Sequence, residues 1–338
     1  MVATIAAMPT TTTAARPRPL FVPFGAAVPE RSLAVDGTVG GTAATYSHWQ
    51  GGHVTPPELL ADTSTGMTVL AAREPERWLA PYRHICNNHV DADGILSMLA
   101  CCRPDLARAH GALMVAAAAC GDFVHWHGPA ACDLALRVHQ IIGAERSGGV
   151  GWEQRALDRA LANADALIAG DWNGASVRRA GTSSVESGIA WLNAHPPLLR
   201  GRLAVVAWAR VHGHADDHFA WLDDPGADDL PLLALSTAVP HGRFQLLLEA
   251  VKGTGKNAEI SVRLDAPRHS WARTVDLPAV PWPDLGGLQA MLSARDPVAG
   301  WTARPQASEL GFTCLLGTRQ PTRLPAEAVI ELCCAAVG

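Results

Sequence analysis

Lysine is almost missing from this sequence: Lys252 and Lys256 are the only two, and every other fixed positive charge is arginine. Basic charge as a whole is short, with 27 Lys and Arg against 32 Asp and Glu and a net charge of −5. No basic surplus is left for a nucleic-acid backbone or an anionic membrane surface. No apolar run approaches the length of a membrane span. The eight cysteines include the vicinal pairs Cys101-Cys102 and Cys333-Cys334 but no C-x-x-C. That excludes a zinc ribbon or a thioredoxin-like motif and reads as reduced, buried thiols of a cytoplasmic protein. There is no Gly-x-Ser-x-Gly elbow and no dinucleotide fingerprint. Gly253-Thr254-Gly255-Lys256 lacks the spacing of a phosphate loop.

What is present is apolar bulk: 48% of 338 residues are hydrophobic, enough for one large domain or two smaller ones. The first 20 residues, with Thr10 to Thr13, read as a flexible leader. Residues 21–225 read as an α/β domain on a parallel sheet, and residues 226–338 as a β-rich C-terminal domain. Ser32–Val35, Ala43–Tyr46, Arg83–Asn87 and Leu203–Trp208 are predicted strands. Pro56 is predicted to start a helix running towards Ala72, and Gly94–Cys102 and Pro104–Cys120 are further helices. In the C-terminal part, Leu232–Leu235, Arg243–Val251, Glu259–Leu264 and Trp271–Val275 are predicted strands, and Leu285–Ala294 a helix.

The chemistry concentrates in Asn87-Asn88-His89-Val90-Asp91-Ala92-Asp93-Gly94. His89, Asp91 and Asp93 fall at alternate positions, so an extended segment points all three to one side. Carboxylates crowded in that way need a cation or hydrogen-bond donors to offset their charge. The alternative is a helix N-cap with acidic residues in the first turn, where the helix dipole favours them. Asp122, in Gly121-Asp122-Phe123 at the end of a helical segment, is a further acidic candidate. His125 and His127 follow it as potential nitrogen ligands. His212-Gly213-His214-Ala215-Asp216-Asp217-His218 begins just past the Leu203–Trp208 strand, where open α/β sheets place ligands. His212 and His214 are therefore candidate metal ligands. Ser47-His48-Trp49 reads either as a substrate-contacting loop through His48 or as a packed Trp with a capping His. Asp62-Thr63-Ser64 reads as a polar helix face, and Arg243 as a bidentate anchor for an anionic substrate.

The strand–His-x-Asp-x-Asp-Gly–helix arrangement resembles the DHH phosphoesterase superfamily. The fuller pattern, a Ser-His-Trp loop plus Asn-Asn-His-x-Asp-x-Asp-Gly, is most similar to an uncharacterised bacterial family. The DHH resemblance implies a parallel-sheet domain binding manganese through His89, Asp91 and Asp93, with Asp122 bridging two ions. It implies catalysis by His89, Asp91, Asp93 and Asp122. The sequence departs from that pattern at Asp216-Asp217-His218, where the family has Asp-His-His, and no Gly-Gly-Gly-His element occurs.

Three functions follow as expectations. The first is a metal-dependent hydrolase of a small anionic phosphoester or phosphoanhydride, using manganese, or else zinc or iron, to activate water. The second is a non-haem iron or other metal-dependent redox enzyme acting on a small molecule. The third is a non-catalytic binding protein on a hydrolase-like fold. A homo-oligomer is compatible with all three.

Overall fold

The computed structural model describes residues 19–23, 25–49, 55–171, 175–209, 229–252, 259–267, 269–270, 272–280, 282–303 and 314–338. Four short strands form the first sheet: β1 (Leu20–Phe21), β2 (Ser32–Val35), β3 (Ala44–Tyr46) and β4 (His84–Cys86). Their order is β1-β4-β2-β3, and every pair is parallel. All four therefore end on one edge, and the loops leaving that edge carry the polar residues. β2 is buried along its whole length, the mark of a strand covered on both faces.

Helices dominate the next stretch: α1 (Ser64–Ala71), α2 (Pro75–Trp78), α3 (Ala92–Cys102), α4 (Pro104–Asp122), α5 (Pro129–Arg146), α6 (Trp152–Ala162), α7 (Ala164–Ala169) and α8 (Ala175–Ala194). α3 is buried at every position. Such a helix must be apolar all round or have its polar groups satisfied internally. Ile95, Leu96, Met98 and Leu99 meet the first condition, each contributing about 1.5–3 kcal/mol by burial. Gly121 lets α4 approach it closely, since a Cβ there would lie 2.6 Å from that of Ala92.

The second sheet is mixed and six-stranded. It contains β5 (Leu198–Arg200), β6 (Leu203–Ala209), β7 (Phe244–Lys252), β8 (Glu259–Asp265), β9 (Thr302–Ala303) and β10 (Cys314–Gly317), in the order β5-β6-β7-β8-β10-β9. β6 and β7 are parallel, joined by a connection that includes α9 (Asp229–Ala238); the other pairs are antiparallel. α10 (Leu285–Arg295) and α11 (Ala326–Val337) complete the chain. Alternation along the strands splits the two faces. Val206 and Leu247 join the core of the helical layer, whereas Val205, Leu246 and Leu248 pack with α10 and α11.

The protein is thus mixed α/β, with a parallel four-stranded sheet and a mixed six-stranded one. Several expectations need correction. Leu232–Leu235 lies inside helix α9, because a short apolar run has no period that separates strand from buried helix. Of the expected strand Trp271–Val275, residues 272–275 are described and form no strand; Ala272 makes a bridge with Trp49. The segment from Pro56 is a 3-10 turn at Pro57–Leu59, and α1 starts afresh at the Thr63 cap. The predicted grouping of residues 21–225 also separates partners, since β5 and β6 pair into the sheet of the C-terminal strands. Among the described residues no helix is long and apolar enough to cross a membrane.

Candidate metal centre

The C-terminal edge of the first sheet collects six ionisable side chains. Asp36 follows β2 directly, His48 lies two residues beyond β3, and the loop after β4 supplies His89 and Asp91. Asp93 sits in the first turn of α3 and Asp122 at the last residue of α4. They form two groups that share Asp36: Asp36, His48, Asp93 and Asp122, and Asp36, His89 and Asp91. In each group the ligand atoms all lie within 4.8 Å of one another.

Backbone geometry fixes these positions. Asp36 has a φ of 63°, the left-handed region that Asp and Asn tolerate better than other non-glycine residues. Its carbonyl accepts the Ser47 hydroxyl at 3.1 Å, which ties the β2 and β3 loops together. Asp91 caps α3, its Oδ1 accepting the Gly94 amide at 2.8 Å. Asp93 reaches across to the N-terminus of α1 and accepts the amides of Ser64 at 2.7 Å and Thr65 at 2.6 Å. The two orphan amides of one helix start are thereby satisfied by the first turn of another. The Ser64 hydroxyl donates to Asp36 Oδ1 at 3.3 Å.

Both histidines are anchored through Nδ1. His48 Nδ1 donates to the Asp62 carbonyl at 2.6 Å, so its Nε2 carries the lone pair when the ring is neutral. That Nε2 faces Asp122 at 3.2 Å, Asp36 at 3.6 Å and Asp93 at 3.7 Å. His89 Nδ1 bonds Asn88 Oδ1 at 2.7 Å, and its Nε2 faces Asp36 at 3.0 Å and Asp91 at 3.1 Å. Anchoring one ring nitrogen so that the other points at carboxylates is how metal-ligating histidines are held.

The electrostatics report the same crowding. Burial pulls the His48 pKa down, but Asp122, Asp93 and Asp36 outweigh it and raise it to about 10. His89, opposed by burial and raised by Asp36 and Asp91, reaches about 12. Burial and then Asp36 push Asp93 up to about 7. Burial, Asp91 and Asp93 hold Asp122 well above the carboxylate range. Burial opposes it, yet His89 and the Gly94 amide keep Asp91 well below that range. Asp36 Oδ2 and Asp122 Oδ2 are buried, and each faces a histidine Nε2, that of His89 at 3.0 Å and that of His48 at 3.2 Å. Carboxylates crowded in a dry site call for positive charge, from a protonated imidazole or from a cation.

The two groups differ in access. The side chains of His48, Asp36 and Asp93 are fully buried and Asp122 nearly so, whereas His89 and Asp91 are 29% and 36% exposed. The second group is thus the open one. Gly94 lies against it: a Cβ there would come within 2.6 Å of Asn87 Nδ2 and 3.0 Å of Asp36 Oδ2. Asn87 cannot yield freely, because its Oδ1 accepts the Asn88 amide at 2.7 Å. Gly94→Ala is expected to keep the fold, since Ala favours a helix by about 1 kcal/mol over Gly. It should weaken metal uptake at least about 10-fold, the scale seen when a neighbour of a ligand is disturbed. Isothermal titration with Mn²⁺ checks this, and unchanged affinity would remove Gly94 from the site.

The sequence picks out His89, Asp91, Asp93 and Asp122, and the fold brings all four together. His48, expected as a substrate contact, instead belongs to the carboxylate cluster. Asp62-Thr63-Ser64 is corrected from a polar helix face to the support of the site: Thr63 caps α1, and the Asp62 carbonyl anchors His48. Asp36 was missed. Its one signal was Asp-Gly after an apolar run, which reads equally as a turn. His125 and His127 do not join the cluster, and Arg243 lines a different cleft beyond Phe123. His212 and His214 lie outside the described residues.

Residues 17–165 match the model of a family described as a family of unknown function, DUF6687. All six cluster residues fall within that stretch, and all six strands of the second sheet fall outside it. No curated protein gives a significant match.

Proposed function

We propose that the protein is a metal-dependent hydrolase of a small anionic phosphoester or phosphoanhydride. The observation that carries the reading is His48: a ring anchored through Nδ1 directs its Nε2 at three buried carboxylates. Oxygen-rich donors with one imidazole in each group suit manganese, then zinc or iron. Asp36 belongs to both groups and would bridge a pair of ions; His48, Asp93 and Asp122 would hold the enclosed one, and His89 and Asp91 the open one. A bound divalent ion lowers the pKa of a coordinated water and offsets charge on a phosphoryl oxygen.

The chain's own residues define the rest. The α1 amides hold Asp93 in one orientation, and Asn88 holds the His89 ring. The partial exposure of His89 and Asp91 leaves the open group as the side from which substrate arrives. The two helix N-termini at the cluster add positive potential where a phosphoryl group would sit.

The test is metal content by mass spectrometry on untagged protein purified without chelator, with Mn²⁺-dependent hydrolysis of pyrophosphate and p-nitrophenyl phosphodiesters. Asp91→Asn is the control, since Asn caps a helix as well as Asp does. Stoichiometric manganese or zinc, with hydrolysis lost in the variant, is expected. Tightly held iron with no hydrolysis supports the redox reading instead. Protein that takes up none of these ions overturns both.

A further inference from the structure

A second polar cleft opens beyond Phe123. Its walls carry three imidazoles from three separate loops: His125 after α4, His241 between α9 and β7, and His269 after β8. Phe123 divides it from the carboxylate cluster, its ring 5.5 Å from His48 on one side and 5.7 Å from His125 on the other. Among the described residues no carboxylate lines this cleft, and the one fixed charge is Arg243.

His269 is only 2% exposed, and its Nδ1 has no hydrogen-bond partner. Its Nε2 donates to the Pro278 carbonyl at 3.1 Å, which leaves the lone pair on Nδ1. A buried nitrogen lone pair without a donor is costly unless something binds it. His125 is buried as well. Burial and the neighbouring rings push His125 down to about 3, and burial lowers His241 and His269 too. Burial thus favours the neutral imidazole at all three, the form that coordinates a metal.

The ring centres are 4.1 Å apart for His125 and His241, 5.9 Å for His125 and His269, and 6.4 Å for His241 and His269. The three rings are gathered in the cleft, but their nitrogens do not converge as they stand, since the trio forms no group with ligand atoms within 4.8 Å of one another. Closing the site needs ring rotation, and His241 is the partly exposed member, beside Gly242 with its φ of 85°.

We propose that His125, His241 and His269 form a separate three-imidazole site for a borderline transition ion of the zinc class. A site of neutral nitrogens prefers Zn²⁺, Ni²⁺ or Cu²⁺ to Mn²⁺ or Mg²⁺. It would staple the loop that leaves Asp122 to the loops of the second sheet. This site is independent of the hydrolase reading, because it shares no residue with the carboxylate cluster.

Co²⁺ titration of the untagged full-length protein, pre-loaded with Mn²⁺, tests it. The expected result is one added equivalent with a visible d–d spectrum, and a rise in thermal midpoint when Zn²⁺ replaces Co²⁺. His241→Ala removes a partly exposed ring, so folding is retained, and His125→Gln removes a buried one. Both should lose the spectrum and the Zn²⁺-dependent rise, while Asp36→Asn keeps them. A spectrum that survives His241→Ala, or one lost in Asp36→Asn but not in the histidine variants, overturns the proposal. So does the absence of any added equivalent.

Discussion

Asp36→Asn is expected to abolish uptake of both ions at once, because Asp36 is the one residue common to the two ligand groups. Asn tolerates the left-handed φ of 63° as well as Asp does, and its amide oxygen can still accept the Ser64 hydroxyl. The fold should therefore persist. What disappears is the stabilisation by metal. An ion that binds only the folded state adds about 2.7 kcal/mol at 100 times its Kd. Wild type should show that increment with Mn²⁺ in urea unfolding, and Asp36→Asn should show less than about 0.5 kcal/mol, within the noise of such measurements. Hydrolysis should fall by more than about 100-fold, beyond the range for loss of an outer-shell partner. Asp122→Asn and Asp91→Asn each touch one group only, so each should leave one equivalent bound. Equal Mn²⁺ stabilisation of wild type and Asp36→Asn would falsify the shared role of this residue.

Asp93→Ala should destabilise the protein by about 2–4 kcal/mol with no metal present. Asp93 is fully buried, and its two oxygens accept the amides of Ser64 and Thr65 at the start of α1. Removing them strands two buried N–H groups, at about 1–3 kcal/mol each. Relief of the repulsion from Asp36 and Asp122 offsets part of this, hence the lower end of the range. Asp93→Asn keeps one acceptor oxygen and should lose about half as much. Chemical denaturation in the presence of EDTA separates this structural role from the metal-dependent one. A variant as stable as wild type would mean that α1 finds its capping elsewhere. Because α1 and α3 are both packed in the main core, hydrogen exchange should also quicken along α1 first.

The local pattern was legible where one segment carried it. His89, Asp91, Asp93 and Gly94 could be read together because they are close neighbours along the chain. The capping reading matches the structure: Asp91 caps α3 and Asp93 sits in its first turn. The convergence of all three from one extended segment does not, because the helix turns Asp93 into one group and leaves His89 and Asp91 in the other. Strands β2, β3, β4, β7 and β8 and helices α3, α4 and α10 were legible for the same reason, each having its own period or punctuation. The Leu232–Leu235 segment was not, since four apolar residues bury equally well as strand or helix.

The sequence by itself determined the chemical type of the site: an acidic, histidine-bearing turn between a strand and a helix, in a chain of net charge −5. It could not determine the membership. Asp36 and His48 follow β2 and β3, whose placement beside β4 depends on the strand order β1-β4-β2-β3, and pairing order is a property of long-range contacts. The same holds for His125, which sits three residues past Asp122 but turns to the far side of Phe123. Proximity along the chain grouped it with the carboxylates, whereas the packing of the second sheet against the loop after α4 placed it with His241 and His269.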